Sequence, residues 1–216
     1  MSKTRKRKAS TRSSSSKAAV KKQKTVRRCD WGNHTELMKK YHDEEWGIPT
    51  RDDDKLFEFL LLESNQAGLS WNTILNKREN FRAAYDEFDA IKIANYDDTK
   101  VSELLKDAGI IRHKGKINAA ISNAKLFLEI QKEYGTFAKY IWGFVDDKTI
   151  VSEFDEMSDL PAKTSEAEAM SKDLKKRGFK FVGPTICYAF MQATGMVDDH
   201  LSYCFKRNNS KTKSTS

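Results

Sequence analysis

The spacing of apolar residues between residues 29 and 205 constrains the fold of this chain more than any other feature of the sequence. Apolar residues recur there at intervals of three and four, the period of an amphipathic helix, and no segment keeps the alternation of a strand. Several segments begin at a helix-capping residue such as Ser70 or Pro184 and end near a glycine such as Gly178. The pattern predicts an all-α domain of about seven helices, with residues 148–164 as the longest irregular connection.

The positive charge of the chain is concentrated at one end. The 216 residues carry a net charge of +8. Residues 1–28 hold twelve of the 39 Lys and Arg residues and none of the 31 Asp and Glu residues, which leaves the remainder with 27 basic residues and a net charge of −4. Residues 1–28 also lack aromatic residues, so they cannot bury enough apolar surface to offset the entropy lost on ordering. We therefore predict a disordered basic tail over 1–28, one domain over 29–205 and a short disordered tail over 206–216.

The basic blocks KTRKRK and KKQK are typical of segments that bind polyanions or act as a nuclear address. The alternative is a solvated tail with no specific partner. No apolar run reaches the roughly 20 residues that span a bilayer, and no apolar core follows the N-terminal charges as in a secretory signal, so no membrane association is expected. Three cysteines do not build a disulfide framework. We expect an intracellular protein, nuclear if the cell has a nucleus.

The segment LKKRGFKFVGPTICYAF predicts two helices joined by a tight hairpin. The first helix ends at Gly178 and the second begins at Pro184. Free N–H groups at the start of the second helix, around Thr185 and Ile186, suit a phosphate oxygen and would position the protein on DNA without reading its sequence. The alternative is an ordinary αα-hairpin between two core helices. Positive charge beside the turn comes from Lys175, Lys176, Arg177 and Lys180.

Cysteine and histidine are scarce in this chain, which contains three and four of them. Cys29 and His42 lie near the start of the domain, and His200 and Cys204 lie near its end. Such residues bind metal when they converge, but the spacing between Cys29 and His42 is not a usual zinc-finger spacing. From spacing alone, whether the two pairs meet stays open.

Four aromatic residues between positions 31 and 71 lie in the same part of the sequence as Glu63, an acid that follows apolar neighbours. Ring faces attract a cation and a carboxylate adds charge and hydrogen bonds, so such a set suits a cationic or electron-poor planar ligand. The alternative is that the tryptophans belong to the core. Glu63 itself follows the run FEFLLL on a helix predicted to be buried, and a buried carboxylate needs a partner or a role. The aromatic residues are Trp31, Tyr41, Trp46 and Trp71.

Four long motifs follow one another along the domain: YHDEEWGIP, LFEFLLLESNQAGLSW, DAGIIRHKGKINAAISNA and LKKRGFKFVGPTICYAFMQATGMVDDH. In order and spacing they resemble the 3-methyladenine DNA glycosylase I family, which belongs to the helix-hairpin-helix DNA glycosylase superfamily. The resemblance runs from Cys29 to about Cys204 and implies the fold of that superfamily. It also implies a monofunctional enzyme that flips 3-methyladenine out of alkylated double-stranded DNA, hydrolyses its N-glycosidic bond and leaves an abasic site. We expect a monomer.

The resemblance implies a role for each pocket residue. Glu63 would hydrogen-bond the methylated base and favour its cationic form, while Tyr41 and Trp71 would stack on the base. Trp46 would complete the pocket and Trp31 would form a wall. Because N3 methylation makes the base a cation that leaves as a neutral molecule, selective binding would supply much of the catalytic effect.

The resemblance also implies DNA contacts from two loops. A wedge between two helices would probe the gap left by the flipped base, and the hairpin would hold the DNA backbone. The residues that match are Gly68, Leu69, Gly178, Lys180, Gly183 and Thr185.

The family holds one structural zinc ion with two Cys and two His from both ends of the domain. The matching residues are Cys29, His42, His200 and Cys204. A closed Cys₂His₂ set leaves no open position, so the zinc would clip the two ends of the domain together rather than take part in catalysis. The resemblance does not match Cys187 to a ligand, and we expect it to be a small buried residue.

The chain departs from the family or superfamily pattern at two places. Met38 stands where the family often has Tyr, so one ring of the pocket is missing. Most of the superfamily uses an Asp after the hairpin, and Asp198 and Asp199 lie near that place although the family does not rely on such a residue. The alternative is that both support His200 as hydrogen-bond partners.

Three functions therefore compete. The first is an active 3-methyladenine glycosylase. The second is a DNA-binding protein of the same fold that finds damage without excising it, and Glu63 turned away from a filled cavity would favour it. The third is a zinc-stabilised helical interaction module, which predicts no salt-sensitive affinity for abasic DNA once residues 1–28 are removed.

Overall fold

The computed structural model describes residues 26–210, and within that range the chain forms ten α-helices and two short strands. Three of these helices add to the seven that periodicity predicts: Glu36–Glu44, Ala90–Ala94 and Phe205–Ser210. The bounds are α1 (Glu36–Glu44), α2 (Asp53–Gln66), α3 (Trp71–Ala84), α4 (Ala90–Ala94), α5 (Asp98–Lys106), α6 (Lys114–Tyr134), α7 (Phe137–Ile141), α8 (Ser165–Arg177), α9 (Pro184–Ala193) and α10 (Phe205–Ser210). Short 3-10 helices span Asp30–Asn33, Asp86–Phe88, Trp142–Val145 and Met157–Asp159.

Helix α2 lies at the centre of the domain. Asp52 caps its start by accepting a hydrogen bond from the Lys55 backbone N–H at 3.0 Å. Residues 56–65 are buried on every side, and they include two glutamates. The helix packs against α3, α6, α7 and α9. A side chain that α2 directs between these helices is therefore shielded from bulk water.

Helices α8 and α9 form the predicted hairpin. Gly178 ends α8 with a φ of 106°, a left-handed conformation that favours glycine. Asn123 on α6 fixes the turn, because its side chain accepts from the Lys180 backbone N–H at 2.9 Å and donates to the Lys180 carbonyl at 3.0 Å. Phe181 also has a positive φ, 55°, which is unusual for a bulky residue. The turn is thus held in one conformation by its contact with α6.

Two short strands correct the all-α prediction. β1 (Ile150–Val151) and β2 (Val197–Asp198) pair in parallel, with Ile150 opposite Val197. Strands of two residues show no alternation, so the sequence pattern could not reveal them. The pairing ties the irregular segment 148–164 to the chain just before His200.

The two ends of the described chain contact each other. The Phe205 backbone N–H donates to the Arg27 carbonyl at 2.9 Å, and the Nζ of Lys206 donates to the Asp43 carbonyl at 2.8 Å. Helix α10 continues to Ser210, within the segment 206–216 that the sequence analysis predicts as a tail. Residues 1–25 and 211–216 lie outside the described residues, and there the predicted tails stay a prediction.

None of the helices within residues 26–210 has both the length and the apolar character that crossing a lipid bilayer requires.

Candidate active site

A cavity of about 230 Å³ opens where α1, α2, α3 and α9 meet the segment 148–164. This volume is several times the ~30 Å³ that a water molecule occupies in the liquid, so the cavity has room for a small planar molecule. All five pocket residues predicted from the sequence line it. The lining residues are Trp31, Met38, Tyr41, Trp46, Glu63, Gln66, Trp71, Met157, Leu160, Ala189 and Gln192.

The four aromatic side chains form one continuous wall. Trp31 meets Trp46 edge to face with ring centroids 4.9 Å apart and meets Tyr41 at 6.2 Å, while Tyr41 meets Trp71 at 5.2 Å. These distances are those of packed aromatic pairs. Tyr41 is buried, and burial together with the charge of Glu63 holds its pKa well above the usual value, so the hydroxyl keeps its proton at neutral pH.

Two glutamates of α2 are buried, and their surroundings differ. Glu58 accepts a hydrogen bond from Arg78 at 2.7 Å. Burial acts to raise the pKa of Glu58, but hydrogen bonds and charge from Arg78 and Lys55 outweigh it and lower the pKa. Glu63 is 3 % exposed, and its Oε2 has no hydrogen-bond partner among the described residues. Burial raises the pKa of Glu63 to about 8. A strongly perturbed carboxyl that no structural contact explains, lining a cavity, is a candidate functional group.

The loop between α2 and α3 carries the two predicted wedge residues. Gly68 has a φ of 78°, and a Cβ there would meet nothing within 4 Å, so the backbone conformation rather than crowding favours glycine. Leu69 is 41 % exposed, which is unusual for leucine beside a cavity. Sequence analysis missed the residue that holds this loop, Lys116. Its buried Nζ donates at 2.7 Å to the carbonyls of Asn65 and Ala67.

The start of α9 has the features of an anion site. No side chain in the described part of the chain caps its free N–H groups. A Cβ at Gly183 would meet nothing within 4 Å, so a ligand can approach the backbone closely there. Lys180 and Thr185 are exposed beside it.

Arg177 does not supply the positive charge expected of it at the hairpin. It pairs with Glu133 at 2.7 Å and with Asp173 at 3.0 Å. Both carboxylates form ion pairs with the Arg177 guanidinium. The positive charge available to bind a phosphate at the hairpin is therefore that of the neighbouring lysines.

A candidate metal centre lies behind the cavity. The ligand atoms of Cys29, His42 and Cys204 all lie within 4.8 Å of one another, and the three residues are fully buried. The cysteines form no disulfide. A hydrogen bond with Cys29, together with one to His42, lowers the pKa of the Cys204 thiol. Buried thiols and an imidazole are the donors that Zn²⁺ prefers, so the residues present fit a zinc ion.

His200 lies next to this group rather than within it. Its ring centroid is 5.1 Å from that of His42. The Nδ1 of His200 contacts the Asp198 carboxylate at 2.7 Å, and its Nε2 is buried with no hydrogen-bond partner among residues 26–210. Asp43 contacts the Nδ1 of His42 in the same way, at 2.8 Å. A fourth zinc ligand must be a nitrogen, sulfur or oxygen donor that has no other partner and lies beside the first three. Among the described residues, the Nε2 of His200 meets this description.

Trp46 connects the candidate metal centre to the cavity. One edge of its ring packs against His200 at 4.6 Å between centroids, and the same side chain lines the cavity. The position of the cavity wall therefore depends on the residues of the metal centre.

Asp199 differs from its predicted role. Asp198 does support His200, but Asp199 instead accepts hydrogen bonds from the Tyr188 hydroxyl at 2.5 Å and from the Gln192 side-chain amide at 2.8 Å. Met38 is buried and lines the cavity, so a flexible thioether stands where the family often has a ring. Cys187 is a small buried residue, as expected.

Five of the cavity residues did not emerge from the sequence. Two of them come from the irregular segment 148–164, where no periodicity points inwards, and the others are unremarked positions on regular helices. They are Gln66, Met157, Leu160, Ala189 and Gln192.

The chain belongs to the methyladenine glycosylase family, whose model matches residues 31–207. The resemblance read from its motifs is thereby confirmed. It is similar to DNA-3-methyladenine glycosylase 1 of Escherichia coli strain K12, with 49% identity over 179 residues that cover 83% of this chain and 96% of that protein. A crystal structure of 3-methyladenine DNA glycosylase I matches at 50% identity with a TM-score of 0.81, covering 83% of this chain and 98% of the other. A second crystal structure, of a single-residue variant in complex with 3-methyladenine, matches at 36% identity with a TM-score of 0.81 over 83% and 97% of the two chains.

Proposed function

We propose that this chain is an active DNA-3-methyladenine glycosylase, a hydrolase that removes 3-methyladenine from alkylated double-stranded DNA in base excision repair. One observation carries the proposal: Glu63 is buried, its Oε2 has no hydrogen-bond partner among residues 26–210, and it faces an open cavity walled by aromatic rings. The damage-binding alternative calls for a filled cavity with Glu63 turned away. The similarity to a bacterial DNA-3-methyladenine glycosylase supports the same substrate.

Glu63 selects the methylated base by its charge. Since burial raises its pKa to about 8, the carboxyl of the free protein is largely protonated at neutral pH. A cationic base beside Glu63 favours the ionised form and gains a hydrogen bond and an ion pair in a site shielded from water. Neutral adenine offers no such charge, so Glu63 stays protonated beside it and the ion pair is not gained.

The chemical step needs little catalytic assistance from the protein. The base is a cation in the DNA and departs with the electron pair of the N-glycosidic bond as a neutral molecule. Water supplies the hydroxyl group that the sugar carbon gains and releases a proton. The pocket residues act by binding the flipped base selectively, with Tyr41 and Trp71 stacking on it and Trp31 and Trp46 closing the wall.

Two loops hold the DNA in this proposal. Leu69, presented by Gly68, enters the gap that the flipped nucleotide leaves, and the hairpin binds the phosphate backbone through the start of α9. The hairpin residues are Gly178, Lys180, Gly183 and Thr185.

We further propose that Cys29, His42, His200 and Cys204 hold one structural zinc ion. The unpartnered Nε2 of His200, and the carboxylates that orient both imidazoles, support four ligands rather than three. Bound zinc supplies structural rather than catalytic chemistry there, because four protein donors close its tetrahedral shell.

The decisive experiment is base release from DNA treated with a methylating agent, resolved by chromatography. Wild type is expected to release 3-methyladenine, and Glu63→Gln to release it on the order of 100-fold more slowly, because the charge beside the cationic base is lost. Glu58→Gln is the matched control, since it removes a buried carboxylate of the same helix whose role is structural. It should lower the melting temperature but keep base release by the folded fraction.

Equal release by wild type and Glu63→Gln would remove Glu63 from its proposed role. Release by neither would favour the second candidate, a damage-binding protein without excision, for which Met38 is the motivating observation. In that case Met38→Tyr is the variant to test, because it restores the ring that the family often has at this position.

The basic tail, residues 1–28, adds nonspecific DNA affinity in this proposal and acts as a nuclear address in a cell with a nucleus. Deleting residues 1–25 should weaken binding to undamaged duplex and flatten the dependence of log K on log salt between about 50 and 200 mM. Fluorescence anisotropy measures both. A full-length control with Ser in place of the Lys and Arg of residues 1–25 should match the deletion, and an unchanged slope in either protein contradicts the role.

A further inference from the structure

We propose that Gln192 determines the specificity of the base pocket and that Asp199 holds it ready to accept a hydrogen bond from an exocyclic amino group. The inference rests on the proposed glycosylase function and deepens it. It assigns roles to two polar residues that the mechanism above does not use.

Asp199 is a positioning residue rather than a catalytic one. It is 1 % exposed and is not among the residues that line the cavity. One of its oxygens, Oδ2, accepts from both the Tyr188 hydroxyl and the Gln192 Nε2. The hydrogen bond from Gln192 connects Asp199 to the cavity, because Gln192 does line it.

The contact with Asp199 fixes which end of the Gln192 amide is available. A glutamine side chain has a donor end and an acceptor end, whereas a carboxylate only accepts. The amide nitrogen of Gln192 is committed to Asp199 at 2.8 Å, so the side-chain oxygen is the end left for the cavity. The main chain of Gln192 is fixed as well, because its carbonyl accepts from the Gly47 N–H at 3.0 Å, directly after Trp46.

The pocket then offers two acceptors, the Glu63 carboxylate and the Gln192 side-chain oxygen. A purine with an amino group at position 6 donates there, while a purine with an oxo group at that position presents another acceptor. When an oxo group of the base faces an acceptor of the pocket and water is shielded from the site, neither acceptor receives a hydrogen bond. Such a mismatch discriminates strongly against the base that carries the oxo group. The arrangement favours 3-methyladenine over 3-methylguanine, a base of similar size that carries the same methyl group.

The test compares kcat/KM for release of 3-methyladenine and 3-methylguanine from methylated DNA. We expect wild type to favour 3-methyladenine and Gln192→Leu to reduce the ratio about tenfold, the effect of one lost hydrogen bond. Asp199→Asn should also reduce the ratio, because an asparagine can donate or accept and so allows the Gln192 amide to turn. Tyr188→Phe is the matched control. It removes the other donor to Asp199 and should keep the ratio.

An unchanged ratio in both Gln192→Leu and Asp199→Asn overturns the proposal, even if both rates fall together. Metal content and melting temperature are measured for each variant, and if Asp199→Asn does not fold, Gln192→Leu decides alone. If wild type releases neither base, the proposed function has failed rather than this inference. Binding of the two free bases, followed by tryptophan fluorescence, then still tests Gln192, and equal preference in wild type and Gln192→Leu contradicts its role.

Discussion

Glu58 and Glu63 lie on the same buried helix, yet only Glu58 has cationic partners that lower its pKa. The difference has a consequence for the folded protein as well as for binding. Holding an unpartnered carboxyl in the interior opposes folding whenever that group is ionised in the unfolded chain. Residues kept in such a position at the expense of stability are typical of functional sites.

Glu63→Gln should therefore stabilise the protein at neutral and alkaline pH. In the unfolded chain Glu63 loses its proton near pH 4.5, but the folded protein keeps it until about pH 8. The contribution of Glu63 to the free energy of unfolding is at its maximum below pH 4.5. It falls as the pH rises towards 8 and stays at its lowest value above that pH. The free energy of unfolding of Glu63→Gln should exceed that of wild type by an amount that grows over the same pH range. Its upper limit is roughly 5 kcal/mol, at about 1.4 kcal/mol per pKa unit. Urea unfolding at pH 5 and pH 8.5 measures it, and an equal difference at both pH values contradicts the raised pKa.

At the level of elements, the loop between α2 and α3 depends on α6 for its position. Lys116 reaches from α6 to the last turn of α2, where it binds two carbonyls that have no helical partner. The exposed Leu69 follows directly. Burial removes water from the Lys116 ammonium group, and this desolvation lowers the pKa of Lys116.

Lys116→Met should impair action on duplex DNA more than binding of the free base. The substitution keeps the aliphatic stem but leaves the carbonyls of Asn65 and Ala67 without their donor, at a cost of about 1–3 kcal/mol. The loop that carries Leu69 then loses its anchor, while the aromatic wall is untouched. Base release from duplex and fluorescence titration with 3-methyladenine separate the two effects. Lys125→Met, an exposed position on the same helix, is the control, and parallel losses in both assays would count against a role in the loop.

Sequence reasoning succeeded where the signal was local or carried by long motifs. Caps such as Ser70 and Gly178 marked helix ends, and the family resemblance named five residues that do line one cavity. It missed Lys116 and Gln192 because their roles arise from contacts between distant parts of the chain, which a single sequence does not display. It missed Met157 and Leu160 because their segment has no period to interpret.

At the level of the whole molecule, the candidate metal centre lies where the N-terminal and C-terminal segments of the domain meet. The donors of the centre come from residues near position 29 and residues near position 204. Trp46 packs against His200 and lines the cavity, so the shape of the cavity depends on the position of the centre. Loss of the metal should therefore affect both global stability and base binding.

Cys204→Ala should lose the bound zinc and lower the melting temperature by about 10 °C, because a domain of this size shifts roughly 2–4 °C per kcal/mol and the centre contributes several. Affinity for 3-methyladenine should fall as the Trp46 wall loosens. Mass spectrometry of the native protein, thermal unfolding and fluorescence titration measure the three effects. Cys187→Ala is the matched control, since this buried cysteine lies outside the centre and its loss should leave zinc content unchanged. Equal zinc content in both variants would contradict the assignment.

The order of the donors along the chain has a consequence for synthesis. Cys29 and His42 leave the ribosome well before His200 and Cys204. A growing chain therefore carries only half of the proposed centre until the last segment of the domain has been made. A product that stops short of residue 200 cannot close the centre or seat the Trp46 wall against His200. Closure of the centre thus marks a complete glycosylase domain, and prematurely terminated chains are left open to proteolysis before they can form a working pocket.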